Sequence, residues 1–204
     1  MGRNALDFEN KQTHRYAFLS FLKMIDTFEH FNINYFLEGG TLLGIVRDQN
    51  LLPWDHDIDF SINPSDLQKI LNLRWYFLRR GYKFSVRKSK KDVGPFKKGD
   101  IFLIKIKPLF KFLFKEFSPF INSEILVCDL FIKKTDGDFY YWQAKDRVMK
   151  VDAKYYETYD KIKFLGRDLR VPAHYKDYLT EKYGDWSVPV KEWDCGVNEK
   201  TIIE

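Results

Sequence analysis

Three aspartates stand at every second position of LLPWDHDIDF, residues 51–60, and a fourth, Asp129, interrupts the apolar run EILVCDLFI, residues 124–132. In an extended strand, side chains two apart share a face at about 6.6–7 Å, and neighbouring strands lie about 4.8 Å apart. Asp57 and Asp59 therefore point the same way. Asp55 joins them if the strand begins that early, whereas His56, Ile58 and Phe60 face the opposite side. Pairing of the two stretches would gather Asp57, Asp59 and Asp129 into one metal-sized volume. Carboxylates so crowded repel one another unless protons or cations neutralise them. Hard, oxygen-only ligands select Mg2+ or Mn2+ over zinc. Two such ions about 3.5–4 Å apart can clamp a phosphate chain during a displacement at phosphorus. The competing reading makes the acids strand-end residues that pair with Arg47 or with nearby lysines.

A second candidate element precedes the acids. In FLEGGTLLG a strand ends in Gly39-Gly40 and a helix opens, with Thr41 placed to cap it. Paired glycines at such a junction let backbone amides approach a phosphate, which the helix N-terminus also favours. They serve a plain tight turn equally well. Arg47, further along that helix, is placed to reach a phosphate or to brace Asp55 or Asp57, and Glu38 is placed to orient a substrate hydroxyl. Both side chains read equally as core-facing salt bridges.

The elements that must position these groups follow from periodicity. Phe18, Leu22, Ile25 and Phe28 mark one stripe of an amphipathic helix over residues 11–31. INYFL reads as a buried strand, TLLGIVRDQN as a short helix and DHDIDFSI as an alternating strand. NPSDLQKILNLRWYFLRRGY reads as one helix, with Pro64 near its start and Gly81 past its end. Strands are expected at 82–87 and 101–107, around the basic turn KSKKDVGPFKKGD, and a central strand at 124–132, with DFYYWQ pairing beside it. IKFLGRDLRVP reads as a hairpin around Gly166, and AHYKDYLTEKYG as a helix closed by Gly184. Together these predict an α/β (α+β) fold, a mixed sheet flanked by helices, in a single domain over residues 1–204.

An apolar fraction of 45% supports a sizeable core and argues against wholesale disorder. The net charge of +5 conceals an asymmetry: residues 79–115 hold 13 Lys or Arg against two acids, leaving the remainder at −6. So basic a block attracts phosphates, nucleic acid or an acidic membrane face, or is a solvated loop. Within KPLFKFLFKEFSPF, residues 107–120, Leu109, Phe110, Leu113 and Phe114 share one helical side. That side suits either a lipid interface or packing on the sheet. Nucleic acid ranks last, because no RNA-binding motif accompanies the lysines. Cys128 and Cys195 lack metal-site spacing and read as inert thiols in a reducing compartment. With no leader-like apolar stretch at the N-terminus and no run long enough to span a membrane, the expectation is a cytoplasmic protein, with peripheral contact at the inner face of the membrane.

The string FLEGGTLLGIVRDQNLLPWDHDIDF resembles the LicD/fukutin-related branch of the nucleotidyltransferase fold, through its G-T-L-L-G-x-x-R segment leading into P-W-D-x-D-I-D. VPAHYKDYLTEKYGDWSVP is similar to the C-terminal segment of that branch. The resemblance is strong over 35–62, touches 124–132 through Asp129 and covers 171–189; it leaves 83–123 as a basic aromatic insertion of this chain's own. It implies transfer of phosphocholine or a polyol phosphate from a CDP-linked donor to a sugar hydroxyl, on a glycan or lipid-linked glycan of capsule or lipopolysaccharide type. Carried across by motif, Asp57, Asp59 and Asp129 are the metal ligands and catalytic carboxylates, holding Mg2+ or Mn2+, with Asp129 helping to take the acceptor's proton. Gly39, Gly40 and Thr41 lie at the donor phosphates. His56 stands where relatives carry another Asp; it is expected to face away from the metals and to touch substrate. Two other functions fit the same residues: a nucleotidyltransferase leaving NMP on a sugar or small-molecule hydroxyl, and a non-catalytic module binding an acidic polymer or membrane.

Overall fold

A computed structural model of the chain describes residues 8–9, 11–109 and 127–203. Its centre is a five-stranded sheet in the order β1-β2-β5-β4-β3, formed by β1 (Tyr35–Leu37), β2 (Asp57–Ile62), β3 (Tyr82–Lys88), β4 (Ile101–Pro108) and β5 (Val127–Ile132). Only the β2–β5 pair is parallel. A parallel pair needs a long crossover, and the chain between these two strands supplies it. The alternation read from the sequence holds. Ile58, Phe60, Ile62, Cys128, Leu130, Ile104 and Ile106 are buried on one face, which leaves the acids on the other.

Helix α1 (Lys11–His30) closes the apolar face. Its Phe21, Ile25 and Phe28 are fully buried, and Phe28 meets Phe60 edge-on with ring centroids 5.1 Å apart. The helix α2 (Gly39–Arg47) joins β1 to β2. After β2, the single helix expected over residues 63–81 is three pieces: a 3-10 turn at Pro64–Asp66, α3 (Leu67–Asn72) and α4 (Arg74–Arg79). The break comes where the Leu73 amide bonds to the Ile70 carbonyl, 3.0 Å away, tightening the turn.

The expectation for DFYYWQ needs correction. It forms β7 (Phe139–Ala144), the middle strand between β6 (Lys134–Asp136) and β8 (Arg147–Asp152) of a second sheet. Both edges of β5 are already taken by β2 and β4, so nothing is left there to pair with. The strand β8 has no counterpart in the sequence reading. After α5 (Lys154–Glu157), β9 (Tyr159–Phe164) and β10 (Arg167–Pro172) make the expected hairpin. Leu165 and Gly166 turn it with φ of 49° and 77°, the doubly left-handed backbone of a type I′ turn. Helix α6 (Tyr175–Tyr183) ends at Gly184, as expected.

Residues 83–108 of the segment set apart as this chain's own form most of β3 and β4, two strands of the central sheet. The Leu109 amide bonds to the Gly81 carbonyl; the rest of the amphipathic stretch, 110–120, lies outside the described residues. Among the described residues no helix is long and apolar enough to cross a membrane, and both cysteines are free thiols.

Candidate active site

The parallel register of β2 and β5 sets Asp59 directly beside Asp129. Carboxylate oxygens of Asp57, Asp59 and Asp129 all lie within 4.8 Å of one another, so the three residues singled out from two distant stretches do meet. Asp55, just before β2, lies beside Asp57 in the same pocket. One oxygen of Asp129, Oδ1, is buried with no hydrogen-bond partner among the described residues. The other accepts a close ion pair from Lys105, its cross-strand neighbour on β4. Reading by motif missed Lys105. The signal was there in IFLIKIKP, where Lys105 and Lys107 alternate with isoleucines as the aspartates do on β2.

Burial and mutual repulsion disturb the acids. Burial, then the charges of Asp55 and Asp129, push Asp57 up to about 7. Burial, with Asp57, Asp55 and Asp129 adding, holds Asp59 well above the usual carboxylate range. Burial also raises Asp55, and it raises Asp129 against the opposing Lys105 ammonium. A group of acids that cannot all ionise together, one of whose oxygens is orphaned, has the donor chemistry of a hard divalent cation.

The helix α2 is pressed against these acids. Its N-cap is Glu38, not Thr41 as expected from sequence: the Glu38 side chain accepts the Gly39 amide at 3.1 Å. Thr41 instead accepts the Asp59 amide through its hydroxyl at 3.0 Å and so ties the helix to β2. The two glycines make room for carboxylates. A Cβ at Gly39 would overlap the Asp59 carboxylate, and one at Gly40 would overlap that of Asp55. Gly39 also has a φ of 55°, a conformation costly for any side chain.

Three other expectations take their final form here. Glu38 proves to be a core salt bridge: it is 1% exposed, its two oxygens accept from Ser61, Tyr156, Tyr178 and Lys182, and Lys133 pairs with it at 2.9 Å. Burial would raise it, but Lys133 and Lys182 hold it well below the usual range. Lys182 also pairs with Glu199 at 3.0 Å, so two buried acids meet two buried ammonium groups. Arg47 does not brace Asp55 or Asp57. It forks onto Asp48 at 2.7 and 2.8 Å and reaches the Trp186 carbonyl at 3.3 Å, because its position at the end of α2 carries it toward the C-terminal segment. His56 does not turn away from the acids. It lies just outside β2, free of the strand's alternation, and its ring nitrogens stand 4.0 Å from Asp55 and Asp57 at the rim.

The acids open into a pocket of about 550 Å3, walled by Trp54, Arg47, Lys105 and the 185–195 segment, among others. A volume in the 300–1,000 Å3 range suits a small organic ligand. Trp54 and Trp186 stand in the motif segments with no role assigned to them, and Trp193 was not singled out; no periodicity marks them, because loops bring them in.

A mixed α/β sheet here presents three carboxylates from two parallel strands beside a glycine-led helix, a group of acids that could hold a metal ion. Residues 32–174 match the family described as LicD/FKTN/FKRP, nucleotidyltransferase domain, and the chain belongs to that family. Lipopolysaccharide cholinephosphotransferase LicD of Haemophilus influenzae is 36% identical over 70 residues, 32% of this chain and 26% of that protein. Ribitol 5-phosphate transferase FKRP of mouse and human is 34% identical over 64 residues, 31% of this chain and 12% of theirs. The matched stretch thus spans about a quarter or less of these relatives. The lincosamide antibiotic adenylyltransferase LnuA with lincomycin bound overlays at a TM-score of 0.47 and 16% identity, over 78% of this chain and 82% of that one, too loosely to argue from.

Proposed function

We propose that this protein is a divalent-metal-dependent transferase that moves a phosphorylated alcohol, of the phosphocholine or polyol phosphate type, from a CDP-linked donor to a saccharide hydroxyl. The observation that carries the reading is the meeting of Asp57, Asp59 and Asp129 in one pocket, with Oδ1 of Asp129 unpartnered. Family membership supports it, as do LicD and FKRP, whose names describe transferases of a phosphorylated alcohol.

In this reading Asp57, Asp59 and Asp129 hold Mg2+ or Mn2+. When bound, the cation neutralises donor phosphate charge and the charge that develops on the departing nucleotide. The N-terminal end of α2, at Gly39, Gly40 and Thr41, carries the positive end of the helix dipole to the donor phosphates. Lys105 keeps Asp129 oriented and adds a positive charge beside the transferring group. Asp129 is placed to take the proton of the attacking hydroxyl. His56 and Asp55, at the rim, are placed to contact the substrate. The protein's part is chiefly positioning and charge stabilisation.

The test is incubation of the full chain with Mn2+, a saccharide acceptor, and CTP, ATP or CDP-alcohols labelled separately in the nucleotide and in the alcohol phosphate. Label from the alcohol phosphate on the acceptor, lost in Asp57→Asn, is the expected result. Label from the nucleotide on the acceptor would overturn the reading in favour of nucleotidyl transfer.

A further inference from the structure

The face of the sheet that carries the acids changes sign across its width. In register, Asp59 on β2 stands beside Asp129 on β5, then Lys105 on β4, then Ser85 on β3. The neighbouring row runs from Phe131 to Leu103 to Arg87. With strands about 4.8 Å apart, β3 lies about 10 Å from the Asp129 strand. Arg87 and Lys105 both line the pocket. The basic side therefore begins within the site and continues outward along the β3–β4 hairpin.

The tip of that hairpin is built rather than loose. Val93 and Phe96 pair through two backbone hydrogen bonds of 2.9 Å and pack with Val148 of β8 in a small core of their own. Its two acids are engaged: Asp92 accepts the Lys98 amide and pairs with Lys97, and Asp100 accepts the Lys97 amide and pairs with Lys134. Lys88, Lys90, Lys91 and Lys98 are exposed, and none of them has a carboxylate partner among the described residues. They stand at the paired tip of the hairpin whose strands carry Arg87 and Lys105 into the pocket, in a chain that is net negative outside residues 79–115.

We propose that this hairpin binds the acceptor, and that the acceptor is an anionic saccharide whose phosphate or carboxylate groups sit on Arg87 and the loop lysines while its hydroxyl lies at Asp129. The inference rests on the transferase reading above and adds the acceptor's charge and docking surface to it. The transferase reading supplies the saccharide, and the hairpin's aromatics do not favour other polyanions: Phe84 and Phe96 are buried, and Tyr82 and Phe102 are half-buried, Phe102 in the pocket wall. None of them is exposed as a platform for stacked bases, as single-stranded nucleic acid requires, or as a face to enter a lipid interface.

The test compares the full chain with the triple variant Lys90→Glu, Lys91→Glu, Lys98→Glu, all at exposed positions, and with the milder triple change to Gln. The probes are a maltooligosaccharide bearing phosphomonoesters, the same saccharide after phosphatase treatment, and vesicles of phosphatidylglycerol with phosphatidylcholine. Three surface ion contacts together predict about a tenfold loss of phosphorylated-saccharide affinity for the Glu variant, with a smaller loss for Gln. The wild-type affinity falls with salt, and the dephosphorylated saccharide distinguishes none of the proteins. Equal binding of the phosphorylated saccharide by all three proteins overturns the proposal, and so does a loss confined to vesicles. Thermal stabilisation by Mn2+ with CDP reads the donor site separately. If it is absent while saccharide binding still falls in the variants, the transferase reading fails and the anionic docking surface stands.

Discussion

Replacing Glu38 by Gln keeps the size of the side chain and most of its hydrogen-bonding capacity, yet removes the one carboxylate that Lys133 contacts, at 2.9 Å. Lys133 is 1% exposed, with its ammonium 3.5 Å from the centroid of the Trp142 ring. Burial already lowers it from 10.5 to about 8, with Glu38 opposing that shift. A folded-state value below the unfolded one means that the protonated lysine costs stability at low pH, a cost relieved as pH rises from about 8 to 10.5. Without Glu38, which raises it, the folded-state value falls further. The extra cost to the variant is then present at low pH and disappears as pH rises through 8. At about 1.4 kcal/mol per unit, the gap between variant and parent should narrow by about 2 kcal/mol between pH 6.5 and 9. Breaking a buried pair costs about 3–5 kcal/mol in total, so part of the loss should remain at pH 9. Urea unfolding in the presence of EDTA at four pH values measures the gap, and titration of the aspartate cluster, common to both proteins, cancels to first order. A gap that stays constant with pH would refute the claim that Lys133 depends on Glu38 for its charge.

The acid cluster should bind Mn2+ more tightly as pH rises through about 7, because protons held on Asp57 and Asp59 must leave first; calorimetry in two buffers of different ionisation enthalpy should show proton release. In EDTA, the raised value of Asp57 should make the protein lose stability between pH 4 and 7; the shift sets a ceiling of about 4 kcal/mol, which a side chain 24% exposed to water reduces to about 2 kcal/mol. Gly40→Ala, whose Cβ would displace the Asp55 carboxylate, should weaken Mn2+ and donor binding together while costing about 1–3 kcal/mol in thermal unfolding. Lys105→Met should lower kcat with little change in donor KM, and Lys105→Arg should recover part of it; equal loss in both variants would show that Lys105 acts only through packing.

The site was legible where chemistry violated a local rule. Acids inside alternating strands pointed to Asp57, Asp59 and Asp129, because nothing in a half-buried strand calls for a carboxylate there. The turn at Gly166 and the stop at Gly184 were readable because left-handed backbone favours few residue types. Pairing partners were less so. The strand at 139–144 was visible, but its neighbours depend on which edges of β5 are already filled, a property of the whole sheet. Thr41 looked like a cap by position, and only the contact of its hydroxyl with the Asp59 amide shows its use. The buried cluster around Glu38 draws on positions 61, 133, 156, 178, 182 and 199, which share no period and meet only once the chain is packed.

The parallel pairing of β2 with β5 has a kinetic corollary. Asp59 and Asp129 are distant along the chain, so closing that loop is slow, and it ends by forcing like charges together. Contacts of this kind tend to form late, on the native side of the folding barrier. A divalent ion that bridges them would then act as a latch, lengthening the lifetime of the folded state while leaving the speed of refolding almost unchanged.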